Sequence, residues 1–248
     1  TIETLGEAEG VQLMLAGRAD FEVGGAPSRV TLQKNGFKAI ITAADLAAIG
    51  GDITAGALGT ISPNGWAARD EFIDNNPDTI MRLASVKWQI NRFIDENPKE
   101  AAEIHVPFLN RIAGMEMTTE DAVATYKNID PYIPFERQGD MWFDKESPTY
   151  HLDVYQAWID SAVENGSIPK GSIEPEETTD AEEIYNKAQS LRSEADDLFE
   201  EAEAAIQELD SNNASQAQEL LDKAKSFYAA YNYLDAVRYA EAILEAIP

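Results

Sequence analysis

The sequence predicts an α/β fold followed by a helical extension, and three observations support this assignment. Short apolar runs alternate with helical segments over the first 42 residues. Proline and capping signals then introduce successive helices after residue 70. An acidic segment rich in Ala and Glu, with apolar residues at helical spacing, follows residue 179.

Residues 1–42 are predicted to form strand, helix, strand, helix and strand. The strands are 1–5, Ala19–Val23 and Phe37–Thr42, and the second helix begins at Pro27. Because strands joined through helices are normally parallel with right-handed crossovers, this pattern indicates a parallel sheet. We expect residues 1–58 to form part of an α/β lobe.

Residues 59–170 are predicted to form a crossover strand and the helical part of a second lobe. A broken strand, 57–61 and 65–69, surrounds the turn Ser62-Pro63-Asn64. Residues 129–148 are expected to be irregular, 171–179 to be a linker, and 180–248 to be an acidic hairpin or bundle of helices. The predicted helices of the second lobe are Pro77–Glu96, Pro98–Ala113, Thr118–Asn128 and His151–Glu164.

The composition excludes several classes of function. A formal net charge of −26 argues against nucleic-acid binding, which requires a basic surface. The acidity indicates either a well-solvated surface or recognition of a cationic partner. The chain has no Cys and only two His residues, so we expect no metal site, no cofactor and no enzymatic activity. No apolar run is long enough to span a membrane.

The turn at residues 24–29 is the main candidate for ligand binding. It follows a predicted strand and begins a helix, where backbone N–H groups and the helix dipole favour an anion. The candidate ligand-binding residues here are Gly25, Ala26, Pro27, Ser28 and Arg29. Arg29 is suited to a bidentate contact with an anion, and the alternative is an exposed helix residue.

A second group of candidate ligand residues lies near the predicted crossover. Ser62 and Asn64 are potential hydrogen-bonding groups, and Trp66 either stacks on a planar solute or fills the core. His105 lies between Ile104 and Val106 on a predicted helix, which is more typical of a structural histidine than of a ligand.

A series of short motifs, in order along about two-thirds of the chain, resembles a known family. The family is the extracytoplasmic solute-binding proteins of ABC importers, in the nitrate, sulfonate and taurine group that includes binding proteins for a thiamine pyrimidine precursor. The chain resembles their C-terminal half. The matching segments are Ala16-Gly17-Arg18-Ala19-Asp20, Gly25-Ala26-Pro27-Ser28, Lys34-Asn35-Gly36, Ala68-Arg69-Asp70-Glu71-Phe72-Ile73, Asn76-Pro77 and residues 94–102.

This resemblance implies an incomplete lobe of the type II periplasmic-binding-protein class, with the N-terminal lobe portion missing before Thr1. It implies capture of a small anionic solute between two lobes, delivery to an ABC permease, and an extracytoplasmic, membrane-anchored location. The alternative is a non-catalytic interaction or scaffold module that acts through the C-terminal helices. Self-association through the helical tail or an exposed sheet edge is a further expectation.

Overall fold

A computed structural model describes residues 5–40, 66–113, 116–128, 132–147 and 149–246. Within these ranges the chain is all-α and contains no β-strand, so the predicted α/β lobe is wrong. No helix among these residues has the length and apolar character needed to cross a membrane. The helices are Glu7–Leu15 (α1), Ala26–Lys34 (α2), Asp70–Asn75 (α3), Pro77–Glu96 (α4), Pro98–Ala113 (α5), Thr119–Asn128 (α6), Phe135–Gln138 (α7), His151–Glu164 (α8), Ala181–Ile206 (α9), Ser211–Ala229 (α10) and Tyr233–Ala246 (α11).

The segments predicted as strands Ala19–Val23 and Phe37–Thr42 are irregular wherever the structure describes them. Ala19 and Phe37 each add one side chain to a small core of Val11, Met14 and Leu32. The other apolar side chains that the structure describes in these two segments are exposed, including Val23 and Ile40 at about 90%. A strand needs a neighbour to pair its backbone groups, and short apolar runs do not supply one. The predicted strand 65–69 is also irregular over its described residues, 66–69. The predicted strand 57–61 and most of strand 1–5 lie outside the described residues.

The helix limits predicted at Pro77, Pro98, Gly36 and Gly166 are confirmed. α4 and α5 begin at Pro77 and Pro98, because proline at a first helical position removes an N–H that has no partner there. Gly36 and Gly166 follow α2 and α8 with positive φ angles of 88° and 78°. The predicted irregular segment 129–148 is partly wrong, since it contains α7 and a π turn at Gly139–Phe143.

The chain divides into two compact units, residues 1–63 with 92–157 and residues 64–91 with 158–248. We call them unit 1 and unit 2. The predicted domain limits at residues 58, 170 and 179 stay predictions. In unit 1, α1 packs on α2, and α5 packs on α6 around a second core. Its buried members are Ala101, Ala102, Val106, Met117, Ala122 and Tyr126.

Unit 2 contains the three C-terminal helices, in which α11 packs against both α9 and α10. The buried side chains of these helices are alanines and larger apolar residues such as Leu191, Phe199, Leu221 and Ile243. The predicted linker 171–179 includes a 3-10 turn at Pro175–Thr178, and Pro175 is buried. This segment is therefore ordered by packing and by a capping box between Glu174 and Glu177.

Candidate functional site

The start of α2 holds five of the predicted ligand residues together in unit 1. Gly25 is the N-cap in an extended conformation, and its carbonyl accepts the first helical hydrogen bond from the Arg29 N–H at 3.2 Å. The Ser28 side chain is fully buried, and its hydroxyl donates to the same carbonyl at 3.0 Å. Arg29 is partly buried. The Ser28 hydroxyl therefore points back to the cap instead of towards solvent.

The carboxylate of Glu22 lies against this first turn, and sequence reasoning missed it. A Cβ atom built on Gly24 would lie 2.9 Å from Glu22 Cδ, and still closer to Glu22 Oε1 and Ser28 Oγ. A Cβ on Gly10 of α1 would lie 3.3 Å from Glu22 Cγ. Glycine at these two positions thus leaves room for the Glu22 side chain. The chain places its own carboxylate beside the helix start where we predicted a solute anion.

The remaining predicted ligand residues are Ser62, Asn64 and Trp66. Ser62 and Asn64 lie outside the described residues. Trp66 belongs to unit 2, and 58% of its surface is exposed, so the interpretation of Trp66 as a core residue is wrong. Within the described residues, the structure keeps Gly25, Ala26, Pro27, Ser28 and Arg29 together, and these five are adjacent in sequence.

The other end of α2 is tied to the start of α6 by Lys34. Its ammonium donates to the Glu116 carbonyl at 2.8 Å and forms an ion pair with Asp121. Asp121 also accepts from the backbone N–H and the hydroxyl of Thr118 at 2.8 and 2.7 Å, as in a capping box. Burial by itself raises the pKa of Asp121, but these hydrogen bonds outweigh it, and the pKa lies below its ordinary value.

The two histidines of unit 1 are both engaged in side-chain packing. His105 Nδ1 lies 3.0 Å from the hydroxyl of buried Tyr126, as expected for a structural histidine. Burial, reinforced by neighbouring Tyr132, raises the pKa of Tyr126 to about 12. His151 is buried with the rings of Phe143 and Tyr150 both 5.1 Å away, edge to face. Among the described residues, no cluster of His, Asp and Glu is arranged to hold a metal ion.

Unit 2 contains two ion pairs between α4 and α11 with opposite polarity. Arg82 and Asp235 form a bidentate pair, with Nε–Oδ2 and Nη2–Oδ1 distances of 2.9 and 2.7 Å. Arg238 donates to Asp78 at 2.7 Å. We call these four residues the α4–α11 clasp. The hydrogen bond from Arg82 is the main cause that lowers the pKa of Asp235.

Two apolar helix faces, on α4 and α5, are exposed. On α4, Leu83, Val86 and Ile90 are each more than 40% exposed. On α5, Ile104, Phe108 and Ile112 are 66%, 51% and 61% exposed. Their four-residue spacing places these three side chains along one side of α5. That spacing was visible in the sequence, but it does not distinguish a core face from an exposed one.

No family model, curated protein or solved structure matches the chain.

Proposed function

We propose that the chain is a non-catalytic interaction module whose α5 helix binds an amphipathic helix of a partner protein. The exposed row of Ile104, Phe108 and Ile112, which we call the α5 row, carries this proposal. The opposite side of α5 already supplies core residues such as Ala102 and Val106, so the row is a second apolar side. Rows of exposed apolar side chains with polar borders are typical of protein-binding surfaces.

The charges beside the α5 row define the chemistry of the partner. Glu100 and Glu103 are exposed near Ile104, at the N-terminal end of the row. The Arg111 guanidinium carbon lies 5.8 Å from the centre of the Phe108 ring. A complementary helix would present an apolar row, basic residues opposite the two glutamates and an acidic residue opposite Arg111.

The C-terminal helices offer a different kind of surface. Over α9, α10 and α11 the structure describes every residue, and no large apolar side chain is among the exposed ones. These helices would contact a partner through acidic and polar groups. Deleting residues 178–248 would also remove Asp235 and Arg238 from the α4–α11 clasp. Point substitutions therefore test the role of α5 more cleanly than a deletion does.

A fluorescently labelled helical peptide tests this proposal. The peptide carries a row of leucines, with lysines at one end and a glutamate at the other. We expect Phe108→Asp to weaken peptide binding about tenfold, as for a central contact residue. Leu83→Asp on α4 is the matched control and should leave binding unchanged. Equal affinity for wild type and Phe108→Asp, or no binding by wild type, would contradict the proposal. Circular dichroism verifies that both variants are folded.

A second proposal is delivery of a small anion to an ABC permease from an extracytoplasmic location. It is supported by the short matching motifs and by the start of α2, a position where an anion is favourable, although the all-α structure differs from the fold that the resemblance implies. Glu22 would have to move, because a second anion would meet its negative charge. We expect taurine, an alkylsulfonate or nitrate to raise the Tm of Glu22→Gln more than that of wild type. If no such anion changes either Tm, the solute assignment fails.

A further inference from the structure

The sequence contains two Asn-x-Ser triplets, Asn165-Gly166-Ser167 and Asn213-Ala214-Ser215. This pattern is the acceptor for N-glycosylation, in which an oligosaccharide is attached to the Asn side chain. The pattern alone treats the two asparagines as equal. The structure gives them different surroundings.

Asn165 lies in an exposed turn at the end of α8. Gly166 has a φ of 78°, which reverses the chain directly after the helix. The Gly166 N–H donates to the Val163 carbonyl at 3.1 Å, and the Ser167 N–H donates to the Ala162 carbonyl at 2.8 Å. This pair of bonds closes the helix C-terminus and fixes the turn. Asn165, Gly166 and Ser167 are all exposed on it.

The side chains of this turn leave the acceptor nitrogen accessible. Asn165 Oδ1 accepts hydrogen bonds from the Ser167 N–H at 2.9 Å and from the Ser167 hydroxyl. The carbonyl end of the amide is therefore held by the third residue of the triplet. Within the part of the chain that the structure describes, Asn165 Nδ2 makes no hydrogen bond. The nitrogen that would carry the sugar therefore belongs to an exposed side chain and is not held by another group among the described residues.

Asn213 is held in a helix cap. It lies in the first turn of α10, where its side-chain nitrogen donates to Asp210 Oδ2 at 3.0 Å. Its backbone N–H donates to Asp210 Oδ1 at 3.0 Å. Ser215 follows within the helix, and residues two apart on a helix do not face each other. Glycosylation here would require the cap and the first turn to open.

We propose that Asn165 is an N-glycosylation site and that Asn213 is not. In the reaction a bond forms between Asn165 Nδ2 and C1 of the first sugar of a lipid-diphosphate-linked oligosaccharide. The bond between C1 and the phosphate oxygen breaks, the lipid diphosphate leaves, and the amide loses one proton. No group is oxidised or reduced. The site goes beyond the binding role proposed for α5 and requires that unit 2 is exposed outside the cytoplasm.

The test uses the folded 248-residue chain. The chain is incubated with a purified single-subunit oligosaccharyltransferase that accepts Asn-x-Ser and with its lipid-linked oligosaccharide. We expect intact-mass spectra to show one added glycan, and peptide mapping to place it on Asn165. Asn165→Gln and Ser167→Ala should abolish the addition, whereas Ser167→Thr and Asn213→Gln should retain it.

Controls separate the role of the folded turn from that of the enzyme. A synthetic peptide spanning residues 160–170 is glycosylated in parallel to show that the enzyme accepts this triplet. Modification of the peptide without modification of the folded chain would overturn the proposal. Attachment at Asn213, or a product that persists in Asn165→Gln, would overturn it as well.

Discussion

The substitution Arg82→Met tests whether the α4–α11 clasp stabilises unit 2. Arg82 makes two hydrogen bonds to Asp235, at 2.9 and 2.7 Å. Asp235 also accepts from Asn232 Nδ2 at 2.7 Å, so this carboxylate is held from two sides. Methionine keeps much of the arginine's apolar length but removes both charged hydrogen bonds.

The exposure of the two side chains sets the size of the expected effect. The Arg82 side chain is 45% exposed and that of Asp235 is 16% exposed. Exposed ion pairs contribute about 0.2–1 kcal/mol because water screens them. The bidentate geometry and the partly buried carboxylate place this pair at the upper end of that range. We expect a loss of about 1 kcal/mol, which is about fivefold in the unfolding equilibrium.

The pH dependence of this loss has a definite sign. The folded-state pKa of Asp235 lies below its ordinary value, mainly because Arg82 donates to it. The pair therefore contributes stability above the ordinary aspartate pKa of about 4. That contribution is lost as the pH falls through the lowered pKa of the folded state. The difference between wild type and Arg82→Met should shrink below about pH 4.

Urea unfolding followed by circular dichroism measures the effect, with Arg82→Met, Asp235→Asn and the double variant forming a cycle. Arg238→Met is the matched control, because it removes the same charge from a pair in which both side chains are nearly half exposed. We expect it to cost about 0.3 kcal/mol. A coupling energy near zero, or an equal loss for the control, would refute the reasoning.

Three further predictions concern unit 1. Gly24→Ala should lower the free energy of unfolding by about 1–2 kcal/mol, because the new methyl group meets Glu22. Adding Glu22→Ala to this variant should recover part of the loss, as measured by urea unfolding. Asn110→Ala should lower the free energy of unfolding by about 1–2 kcal/mol, because the Asn110 amide makes two hydrogen bonds to the backbone of Met117, just before α6. An unchanged midpoint in urea unfolding would contradict this. Lys34→Met should raise the pKa of Asp121 towards its ordinary value, as measured by NMR titration, and should reduce the stability that this carboxylate contributes above about pH 4. An unchanged pKa of Asp121 would contradict this and show that Thr118 alone holds the carboxylate.

The helix boundaries were predictable because the signals that set them are local. A proline at the first position of α4 or α5, or a glycine after α2 or α8, acts through its own φ angle and its neighbours' hydrogen bonds. Such effects do not depend on the rest of the fold. They therefore hold even though the predicted fold class is wrong.

The predicted strands failed because pairing between strands is not local. Phe21 and Val23 have high strand propensity but no neighbouring strand within the described residues, and their side chains are exposed. The sequence did not predict that Glu22 lies beside the candidate site, for a related reason. The signal at the start of α2 was correct as a helix start, but the position of Glu22 depends on how the chain turns after α1.

The sequence by itself determined the starts of α4 and α5, the ends of α2 and α8, the acidic character of the chain and the helical nature of its last seventy or so residues. Only the tertiary structure decided which polar groups meet, such as Arg82 and Asp235, which are 153 positions apart. It also decided that the α5 row is exposed. These outcomes depend on packing between distant segments, which local backbone preferences do not encode.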